Sequence, residues 1–574
     1  MERTHFNTEL SLKNVGEKVS LLGWVSKRRN LGAILFIDLR DRSGIIQVMV
    51  NDNVNVPDIR NEYVIQVKGE VAKRAVANPK LSTGEIEIIA SEIVLLNTAK
   101  TTPLIIADET DALEETRLKY RYLDLRRPCM QHYFDIRDTI KMTAHSFMHR
   151  HHFIEVETPM LCASSPEGAK EYLVPSRIHH GQFYALPQSP QMFKQLLMVA
   201  GFERYYQIAR CFRDEDLRAD RQPDFTQIDV ETSFLDQSQF LALMEELIRD
   251  IFKNTINYDV KLPLRQMTYK EAMERFGSDK PDTRFGIELH NIKNIFENTS
   301  FEAYQKAEAI RCIVVPGVAG QTSRKVIDSL ALEAKKFGLG GLTVIKKEND
   351  ELVGSFVKFL SEAENKALNA ELGLNNDDVL IIAAGNDNRV TPLLGALRIR
   401  YGRELGLIKP GTYDLLWVID FPMFERDVES GAISATHHPF TRPRDEDLPY
   451  LDTDPTKVLS YAYDIVINGY EAGGGTLRIY DQNIQRKIFE ILGLSDEEIQ
   501  ERFGYFVDAL QYGTPPHAGM AFGLDRLAMI LGGTDNIRDV IAFPKNLAAV
   551  DPMTNAPTNV TQAQLDELGI KFQD

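Results

Sequence analysis

The sequence predicts a multidomain protein of the α+β class, in which a small β-barrel precedes a larger domain of strands and helices. Five short runs of alternating hydrophobicity, separated by turn residues, fill roughly the first hundred residues. Helical spacing and further strand patterns begin near Asp135. A chain of 574 residues is too long for one hydrophobic core, so three or more domains are expected.

Composition narrows the class of protein. Hydrophobic residues make up 43% and charged residues 26%, as in ordinary globular proteins. A net charge of −17 argues against a generally basic surface, so any RNA contact must come from local basic patches. The four cysteines form no Cys-x-x-Cys pair, and no apolar run resembles a signal peptide or a bilayer span. These features predict a cytoplasmic protein without membrane segments.

The N-terminal strands carry a candidate nucleic-acid surface. The basic run Lys27-Arg28-Arg29 precedes a strand with Phe36, and Gln47 lies on the next strand, which offers charge for phosphates and a ring for an unstacked base. A phenylalanine on an alternating strand is more often a core residue than a stacking platform, and this alternative stays open. The strands are predicted at Val19–Ser26, Ile34–Leu39, Ile45–Val50, Tyr63–Val71 and Ile86–Leu95.

The stretch from Tyr205 to Glu231 predicts two strands joined by a charged loop. The first strand ends at Arg213, whose guanidinium is suited to bind a phosphate oxygen, and Glu215 follows two residues later. In the second strand Gln227, Asp229 and Glu231 share one face because the side-chain period is two. This polar face is a candidate binding site.

Two helices are predicted before this stretch. Asp135 to Arg150 has Ile136, Ile140, Ala144 and Phe147 at helical spacing and leads into a strand near Phe153. A second helix is expected to begin with Ser189 as its N-cap and Pro190 in its first turn, and to run to Gly201. Gln191 and Lys194 share a face of that helix.

The C-terminal half holds further polar groups. Adjacent histidines stand at 437 and 438, and Asp464 and Glu471 are carboxylates of the kind that hold magnesium together with substrate phosphates. Gly473-Gly474-Gly475 permits either close backbone approach or a flexible turn. Arg478 among apolar neighbours needs a partner, for which a substrate carboxylate would serve. Asp525 is a plausible cap of a final helix.

Together, Tyr205 to Asp229, Gln188 to Lys194 and Gly523-Leu524-Asp525-Arg526 resemble the motifs of class II aminoacyl-tRNA synthetases, and most closely the bacterial-type aspartyl group. The resemblance implies an N-terminal OB-fold β-barrel, a class II catalytic domain with an antiparallel sheet flanked by helices, and an inserted α+β domain. The implied domains are an anticodon-binding barrel at 1–105, a hinge at 106–134, the catalytic domain at 135–280, the insertion at 281–415, and the rest of the catalytic domain with a C-terminal extension at 416–574.

The resemblance also implies residue roles. The implied catalytic residues are Arg213, Glu215 and Arg526. The implied aspartate-binding residues are Glu167, Gln191, Lys194, Arg213, Asp229, His437, His438 and Arg478. The implied ATP-binding residues are Arg213, Asp214, Glu215, Gln222, Phe225, Glu471, Gly523, Leu524, Asp525 and Arg526. The implied Mg²⁺ ligands are Asp464 and Glu471. The implied anticodon contacts are Arg28, Arg29, Leu31, Phe36 and Gln47. The segment from Asp135 to Pro159 resembles the family's dimer motif and implies a homodimer.

The implied activity is that of an aspartate–tRNA ligase, which forms aspartyl-adenylate from L-aspartate and ATP and passes the aspartyl group to the 3′ end of tRNA(Asp). Lys194 and Arg478 favour an anionic amino acid over asparagine or lysine. A regulator built on an inactive synthetase is expected to lack one of the ATP-binding or metal-binding residues, and none is missing here. A tRNA-independent ligase of the same fold is expected to lack the N-terminal barrel, which this sequence predicts. Whether tRNA(Asn) is also charged stays open, although Leu31 after Arg28-Arg29-Asn30 favours restriction to tRNA(Asp).

Overall fold

The computed structural model describes residues 2–32, 34–164, 169–427 and 430–573. The chain forms two compact units, of which the first comprises residues 1–138, 217–222 and 536–561 and the second comprises the remainder. Among the described residues, no helix combines the length and the apolar character needed to cross a membrane. The predicted domain boundaries stay predictions.

The first unit contains the predicted barrel. Its strands close in the order β1-β2-β3-β5-β4, with Val25, Ile37 and Leu39 among the fully buried core residues. β1 extends past the predicted end at Ser26 and pairs with β2 as far as Leu31, so the basic run lies inside a strand. The strands are β1 (Lys18–Leu31), β2 (Ile34–Arg40), β3 (Ile45–Val50), β4 (Val64–Lys73) and β5 (Ile86–Asn97).

Three helices follow the barrel: α1 (Glu114–Lys119), α2 (Arg121–Asp124) and α3 (Pro128–Arg150). The start of α3 was predicted at Asp135 and lies instead at Pro128, because proline is well suited to the first helical turn. The four residues that gave the helical spacing, namely Ile136, Ile140, Ala144 and Phe147, are all buried, as predicted.

The second unit contains the remaining elements. Its strands are β6 (Ile154–Glu155), β7 (Leu173–Pro175), β8 (Phe183–Ala185), β9 (Arg204–Phe212), β10 (Asp224–Ser233), β11 (Arg265–Thr268), β12 (Leu289–Asn291), β13 (Ala309–Val315), β14 (Thr343–Glu348), β15 (Glu351–Val353), β16 (Val379–Gly385), β17 (Leu415–Ile419), β18 (Phe424–Arg426), β19 (Ile433–Ala435), β20 (Ala462–Ile467), β21 (Tyr470–Leu477) and β22 (His517–Gly523). Its helices are α4 (Gln191–Val199), α5 (Gln237–Ile256), α6 (Tyr269–Phe276), α7 (Glu302–Gln305), α8 (Arg324–Lys336), α9 (Glu362–Leu372), α10 (Asp387–Glu404), α11 (Gln482–Ile491), α12 (Asp496–Leu510), α13 (Leu524–Gly532) and α14 (Gln562–Leu568).

The main sheet of this unit has eight strands in the order β11-β17-β20-β21-β22-β10-β9-β6. Its central pairs are antiparallel, and only the outer pairs β11–β17 and β9–β6 are parallel. The predicted strand–loop–strand at 205–231 is confirmed as β9 and β10. The glycine run 473–475 lies within β21, so the flexible-turn alternative is wrong. A Cβ on Gly475 would lie 2.1 Å from the carbonyl oxygen of Gly519, which explains the need for glycine beside β22.

Residues 289–385 form a separate five-stranded sheet in the order β12-β13-β16-β14-β15. Alternate residues of β16 enter two different cores, with Val379 and Ile381 on one face and Leu380 and Ile382 on the other. The sheet is therefore covered on both faces, by α8 and α10 on one side and by α7 and α9 on the other. This is the α+β arrangement that the sequence predicted for the inserted segment.

Candidate active site

Two buried cations lie on one face of the main sheet, each beside a carboxylate of β10. The Nζ atom of Lys194, on α4, lies 2.6 Å from Asp229 Oδ1 and 3.4 Å from Glu231 Oε2. Arg478 donates to both oxygens of Glu231, from Nε at 2.9 Å and from Nη2 at 3.0 Å. Burial alone would raise the pKa of Glu231, but Arg478 and Lys194 lower it overall. The four charges compensate one another away from water.

Several buried polar atoms around these charges have no hydrogen-bond partner within the described ranges. They include Asp229 Oδ2, Gln191 Nε2, Gln195 Nε2 and His437 Nδ1. Each such atom costs roughly 1–3 kcal/mol if it stays unsatisfied. They include both an acceptor and a donor, so a small ligand with an ammonium and a carboxylate group would satisfy them.

The adjacent histidines follow β19 and bind different partners. His438 Nε2 lies 2.7 Å from Arg478 Nη1 and must accept, because a guanidinium only donates. Burial and the Arg478 charge lower the pKa of His438 well below its usual value, so this ring is neutral. His437 Nε2 lies 3.7 Å from Asp464 Oδ1, and although burial opposes it, Asp464 raises the pKa of His437. The two rings thus connect the cation pair to a second group of acids.

Asp464 and Glu471 form that second group, on the hairpin of β20 and β21. The strands are joined by Asn468 and Gly469, whose φ values of 54° and 83° suit a tight two-residue turn. A Cβ on Gly474 would lie 2.4 Å from Asp464 Oδ1 and 3.7 Å from Glu471 Oε1, so the two carboxylates converge over this glycine. Desolvation and the Asp464 charge raise the pKa of Glu471. Two converging carboxylates favour a cation between them.

Hard oxygen ligands of this kind fit Mg²⁺. No group of three or more His, Cys, Asp or Glu side chains is placed for a metal ion in the part of the chain that the structure describes. Mg²⁺ usually keeps several waters and binds one or two carboxylates together with substrate phosphates. The pair Asp464 and Glu471 therefore fits a magnesium ion that arrives with a phosphate ligand.

A guanidinium and an aromatic ring face each other at the loop end of β9 and β10. The Arg213 guanidinium lies 5.2 Å from the centre of the Phe225 ring, and both residues are partly exposed. The backbone N–H of Arg213 donates to the carbonyl of Pro223 at 2.8 Å, which closes the loop at its base. Asp214 and Glu215 are exposed just beyond. Flat groups of this kind are suited to stack on a nucleotide base and to bind its phosphates.

The start of α13 is held to the neighbouring strands. Arg526 Nη1 donates to the backbone carbonyl of Glu471 at 2.5 Å. Gly523 occupies the N-cap position of α13, and Asp525, predicted as the cap, instead accepts from the backbone N–H of Thr226 on β10 at 2.7 Å. The prediction of the cap was wrong because a tertiary donor competes with the helix terminus. Arg526 and β10 are thereby brought to the same end of the sheet.

The barrel presents a polar and aromatic outer face. Phe36 alternates with the core residue Ile37 on β2, and its cross-strand neighbour on β1 is Arg29. Arg29 donates to Asp38 at 2.7 Å and to Gln47 at 3.3 Å. The alternative that Phe36 is a core residue is therefore not supported by its position.

The outer-face residues differ in exposure. Gln47 is largely buried and also donates to Glu87 at 2.7 Å. Leu31 at the end of β1 is 68% exposed. Arg28 turns away and donates to the carbonyl of Ile59 at 2.9 Å. The structure brings Arg29, Phe36 and Gln47 together and leaves Arg28 apart from them.

Comparison with known proteins identifies the family. Residues 113–547 match the model of "tRNA synthetases class II (D, K and N)", and residues 19–96 match an "OB-fold nucleic acid binding domain". The chain belongs to the class II tRNA synthetases. Over 578 residues, 99% of the chain and 97% of the relative, it is 51% identical to "Aspartate--tRNA(Asp/Asn) ligase" of Geobacillus sp. (strain WCH70). It is 50% identical to "Aspartate--tRNA ligase" of Lysinibacillus sphaericus (strain C3-41) over 582 residues, 100% of the chain and 99% of the relative.

Solved structures share the fold of this synthetase. Asparaginyl-tRNA synthetase from Pyrococcus horikoshii, complexed with asparaginyl-adenylate, superposes with a TM-score of 0.60 at 18% identity, covering 95% of this chain and 98% of that one. Aspartyl tRNA synthetase from Entamoeba histolytica gives a TM-score of 0.57 at 18% identity, covering 94% and 91%. The predicted fold class and the predicted enzyme class are confirmed.

Some predicted site residues of the synthetase lie elsewhere or have other contacts. Glu167 lies outside the described residues. Gln222 belongs to the first unit, where its side chain donates to the Lys545 carbonyl at 3.0 Å and accepts from the Lys545 N–H at 2.8 Å. Ser189 is not the N-cap of α4; Pro190 is, although the Ser189 hydroxyl does accept from the Gln191 N–H at 3.3 Å. The helix ends at Val199 rather than Gly201.

Sequence reasoning missed the role of Glu231. It was placed on the polar face of β10, but only the structure shows it as the shared partner of Arg478 and Lys194. Its alternation with Asp229 was the available signal. The strand pairing across β22 that brings Arg478 close to Glu231 could not be read from the sequence, because the two residues are far apart along the chain.

Proposed function

We propose that this synthetase is an aspartate–tRNA ligase, which activates L-aspartate with ATP to aspartyl-adenylate and transfers the aspartyl group to tRNA(Asp), releasing AMP and pyrophosphate. The observation that carries the proposal is the buried pair of cations, Lys194 and Arg478, next to polar atoms that lack partners. An amino acid with an anionic side chain suits these cations. A lysine side chain would be repelled, and asparagine would present N–H donors to groups that only donate.

The substrate's two ends have separate partners. Its side-chain carboxylate binds Lys194 and Arg478, while its α-ammonium group binds Asp229 Oδ2, which has no partner among the residues that the structure describes. Gln191 Nε2 and His437 Nδ1 are the remaining unsatisfied atoms available to the amino acid. His438 acts through Arg478, since its ring accepts from that guanidinium. Bound in this way, the α-carboxylate is directed away from the cations, toward the nucleotide.

ATP lies at the loop end of β9 and β10. Phe225 stacks on the adenine, and Arg213 binds a phosphate oxygen of ATP and the α-carboxylate that attacks it. Arg526 supplies a second positive charge for the phosphates, with Asp214 and Glu215 at the loop and Gly523, Leu524 and Asp525 at the start of α13 completing the nucleotide site. No covalent nucleophile is required, because positioning and charge neutralisation supply the catalysis.

Asp464 and Glu471 would hold Mg²⁺ together with the ATP phosphates. The ion would neutralise phosphate charge as pyrophosphate leaves. The chain's own contribution is the Asn468-Gly469 turn and the space at Gly474, which bring the two carboxylates together. His437 then lies between this pair and the amino acid, 3.7 Å from Asp464.

The barrel binds the anticodon through Arg29, Phe36 and Gln47, with Leu31 exposed at the edge. Arg28 takes part only if it leaves its bond to Ile59. A second candidate function is supported by the printed name of the Geobacillus relative, "Aspartate--tRNA(Asp/Asn) ligase". On this alternative the enzyme also charges tRNA(Asn). Charging transcripts of both tRNAs with labelled aspartate distinguishes the two.

The enzyme is proposed to be a homodimer. β6 is the edge strand of the main sheet and carries Ile154 with 49% of its surface exposed, and Met142 on α3 is 58% exposed. An uncovered edge with apolar side chains favours pairing with a second copy. Sedimentation at micromolar concentration tests this, and a fully active monomer would contradict it. The cytoplasmic location stays a prediction.

The experiment that tests the main function is aspartate-dependent ATP–pyrophosphate exchange. Aspartate is expected to support exchange in the absence of tRNA, and asparagine and lysine to fail at the same concentrations. A chain that exchanges with asparagine or lysine as well as with aspartate would contradict the proposed substrate. Failure of all three amino acids with correctly folded protein would contradict adenylate formation itself.

A further inference from the structure

Glu231 is bonded to Arg478 and lies close to Lys194. The space for its carboxylate is provided by the neighbouring strand β22. The register places Gly519 directly opposite Glu231. A Cβ at Gly519 would lie only 1.7 Å from Glu231 Oε2 and 2.4 Å from Cδ. The carboxylate therefore occupies the space that a side chain at 519 would fill. Any residue larger than glycine must displace the Glu231 carboxylate, and it must also press on the Val230 carbonyl oxygen, which would lie 2.5 Å from the new Cβ.

His517 stands two residues earlier on β22 and faces the same side of the sheet. Its backbone carbonyl accepts from the Arg478 N–H at 2.9 Å, and its ring is buried. Burial lowers the pKa of His517 to about 4, although the Glu231 charge opposes this. The ring is therefore neutral at physiological pH.

The neutral ring of His517 pairs with Gln195, which follows Lys194 on α4. Nδ1 lies 2.8 Å from the Pro515 carbonyl and must donate to it, so Nε2 accepts. Gln195 Oε1 lies 3.1 Å from Nε2, and because two acceptors cannot pair, we assign the amide in the reversed orientation, with its NH₂ group donating to the ring. The His517–Gln195 bond thus ties β22 to the helix that carries Lys194.

We propose that Gly519 and the His517–Gln195 pair are positioning residues that determine selectivity for an anionic amino acid. The inference rests on the proposed function. None of these residues is placed against the substrate: Gly519 leaves the space that the Glu231 carboxylate occupies, and the His517–Gln195 pair ties β22 to the helix that carries Lys194. Glu231 in turn is bonded to Arg478 and lies 3.4 Å from Lys194. Binding sites of this kind tolerate only about 0.5 Å of displacement before recognition is lost. Moving the Glu231 carboxylate turns both cations away from the substrate while leaving the nucleotide end unchanged.

The decisive variant is Gly519→Ala, measured by pyrophosphate exchange. The KM for aspartate is expected to rise at least about tenfold and the preference for aspartate over asparagine to fall at least about tenfold, with the KM for ATP within about twofold. Gly320→Ala is the matched control, because a Cβ at Gly320 meets nothing within 4 Å. Gln195→Met should give a smaller rise in the KM for aspartate, and the KM for ATP should again stay within about twofold of the wild-type value.

The test for action through Glu231 is rescue by a shorter carboxylate. Glu231→Asp moves the carboxylate back by one methylene, so the double variant Glu231→Asp/Gly519→Ala should bind aspartate better than Gly519→Ala alone. A purely structural role for Gly519 predicts no such rescue. Additive losses in the double variant, or a rise in the ATP KM equal to that for aspartate, would overturn the inference.

Two failures are distinguishable. If the wild-type enzyme shows no aspartate-dependent exchange, the proposed function is wrong. If the wild-type enzyme is active and Gly519→Ala keeps both the wild-type aspartate KM and the wild-type selectivity, the proposed function stands and this inference is wrong.

Discussion

The sheet face around Lys194 and Arg478 and the outer face of the barrel both pair cations with carboxylates, but the first does so in a buried setting and the second in an exposed one. Lys194 and Arg478 are buried and bonded to carboxylates of β10 before any substrate is present. Arg29 on the barrel is partly exposed and forms an ion pair with Asp38 at 2.7 Å on the outer face. A buried charge without its partner costs several kcal/mol, whereas a surface ion pair contributes about 0–1 kcal/mol. Substitutions at the two regions should therefore differ greatly in effect.

The difference also separates two kinds of recognition. On the proposed function, the buried site at Lys194 and Arg478 would discriminate by leaving a wrong ligand with unpaired partners, which gives large ratios between similar molecules. The barrel face offers one ring and a few donors to a flexible nucleic acid, and each contact adds a small and nearly independent amount.

The largest effect is expected for Arg478→Leu or Lys194→Leu. Each leaves a buried carboxylate without its cation and removes a partner of the substrate, so the kcat/KM for aspartate should fall on the order of 10⁴-fold. ATP binding measured without amino acid should change far less. Arg486→Leu on the exposed face of α11 is the matched control. Variants that keep the wild-type preference for aspartate over asparagine would show that these two residues are not the selectors.

Sequence reasoning succeeded where the signal was local. Alternation placed Gln227, Asp229 and Glu231 on one face, and the apolar spacing of Ile136 to Phe147 identified α3. It failed where a distant group intervened. Asp525 was assigned to its own helix but binds Thr226, and the bond between Arg478 and Glu231 was not predicted, while substrate binding by Arg478 stays a prediction. The register of a sheet decides such pairs, and register is set by the whole fold.

Gln222 also has a distant partner that the sequence does not reveal. The resemblance placed it in the ATP site, and that assignment stays a prediction. In the structure its amide is satisfied by both backbone groups of Lys545, more than three hundred positions later. Gly474 and Gly519 illustrate the converse, since nothing in a glycine's own pattern reveals which neighbouring side chain occupies the space beside it.

The second-largest effect is expected at the carboxylate pair Asp464 and Glu471. Glu471→Gln removes one of the two carboxylates over Gly474, and the magnesium concentration at half-maximal adenylate formation should rise roughly 10–100-fold. Saturating magnesium should restore most of the rate. Glu490→Gln, on the exposed side of α11, controls for the loss of a negative charge. An unchanged magnesium titration would reject the assignment of Glu471.

On the barrel, Phe36→Ala should weaken tRNA affinity roughly tenfold to a hundredfold, because stacking on one base contributes about 1–3 kcal/mol. Pyrophosphate exchange, which needs no tRNA, should stay nearly intact. Val76→Ala removes an apolar side chain that is 79% exposed in the connection between β4 and β5, and it serves as the control for a surface truncation in the same unit. Equal loss of both activities would mean that Phe36 is required for folding and not for RNA binding.

The smallest effect is expected for Arg29→Ala, whose guanidinium now donates to Asp38 and Gln47 on the open face. Binding a phosphate requires Arg29 to exchange its bond with Asp38, so its net contribution to tRNA affinity should be only a few-fold. The sharper readout is salt dependence, because losing one phosphate contact reduces the slope of log affinity against log salt by about one. Arg60→Ala, an exposed arginine of the same barrel paired with Asp58, controls for general charge. Asp38→Asn should have the opposite sign, since it releases Arg29 for the phosphate and should strengthen binding at low salt. If Arg29→Ala and Arg60→Ala changed the slope equally, the barrel would attract tRNA through its overall field and not through this particular arginine.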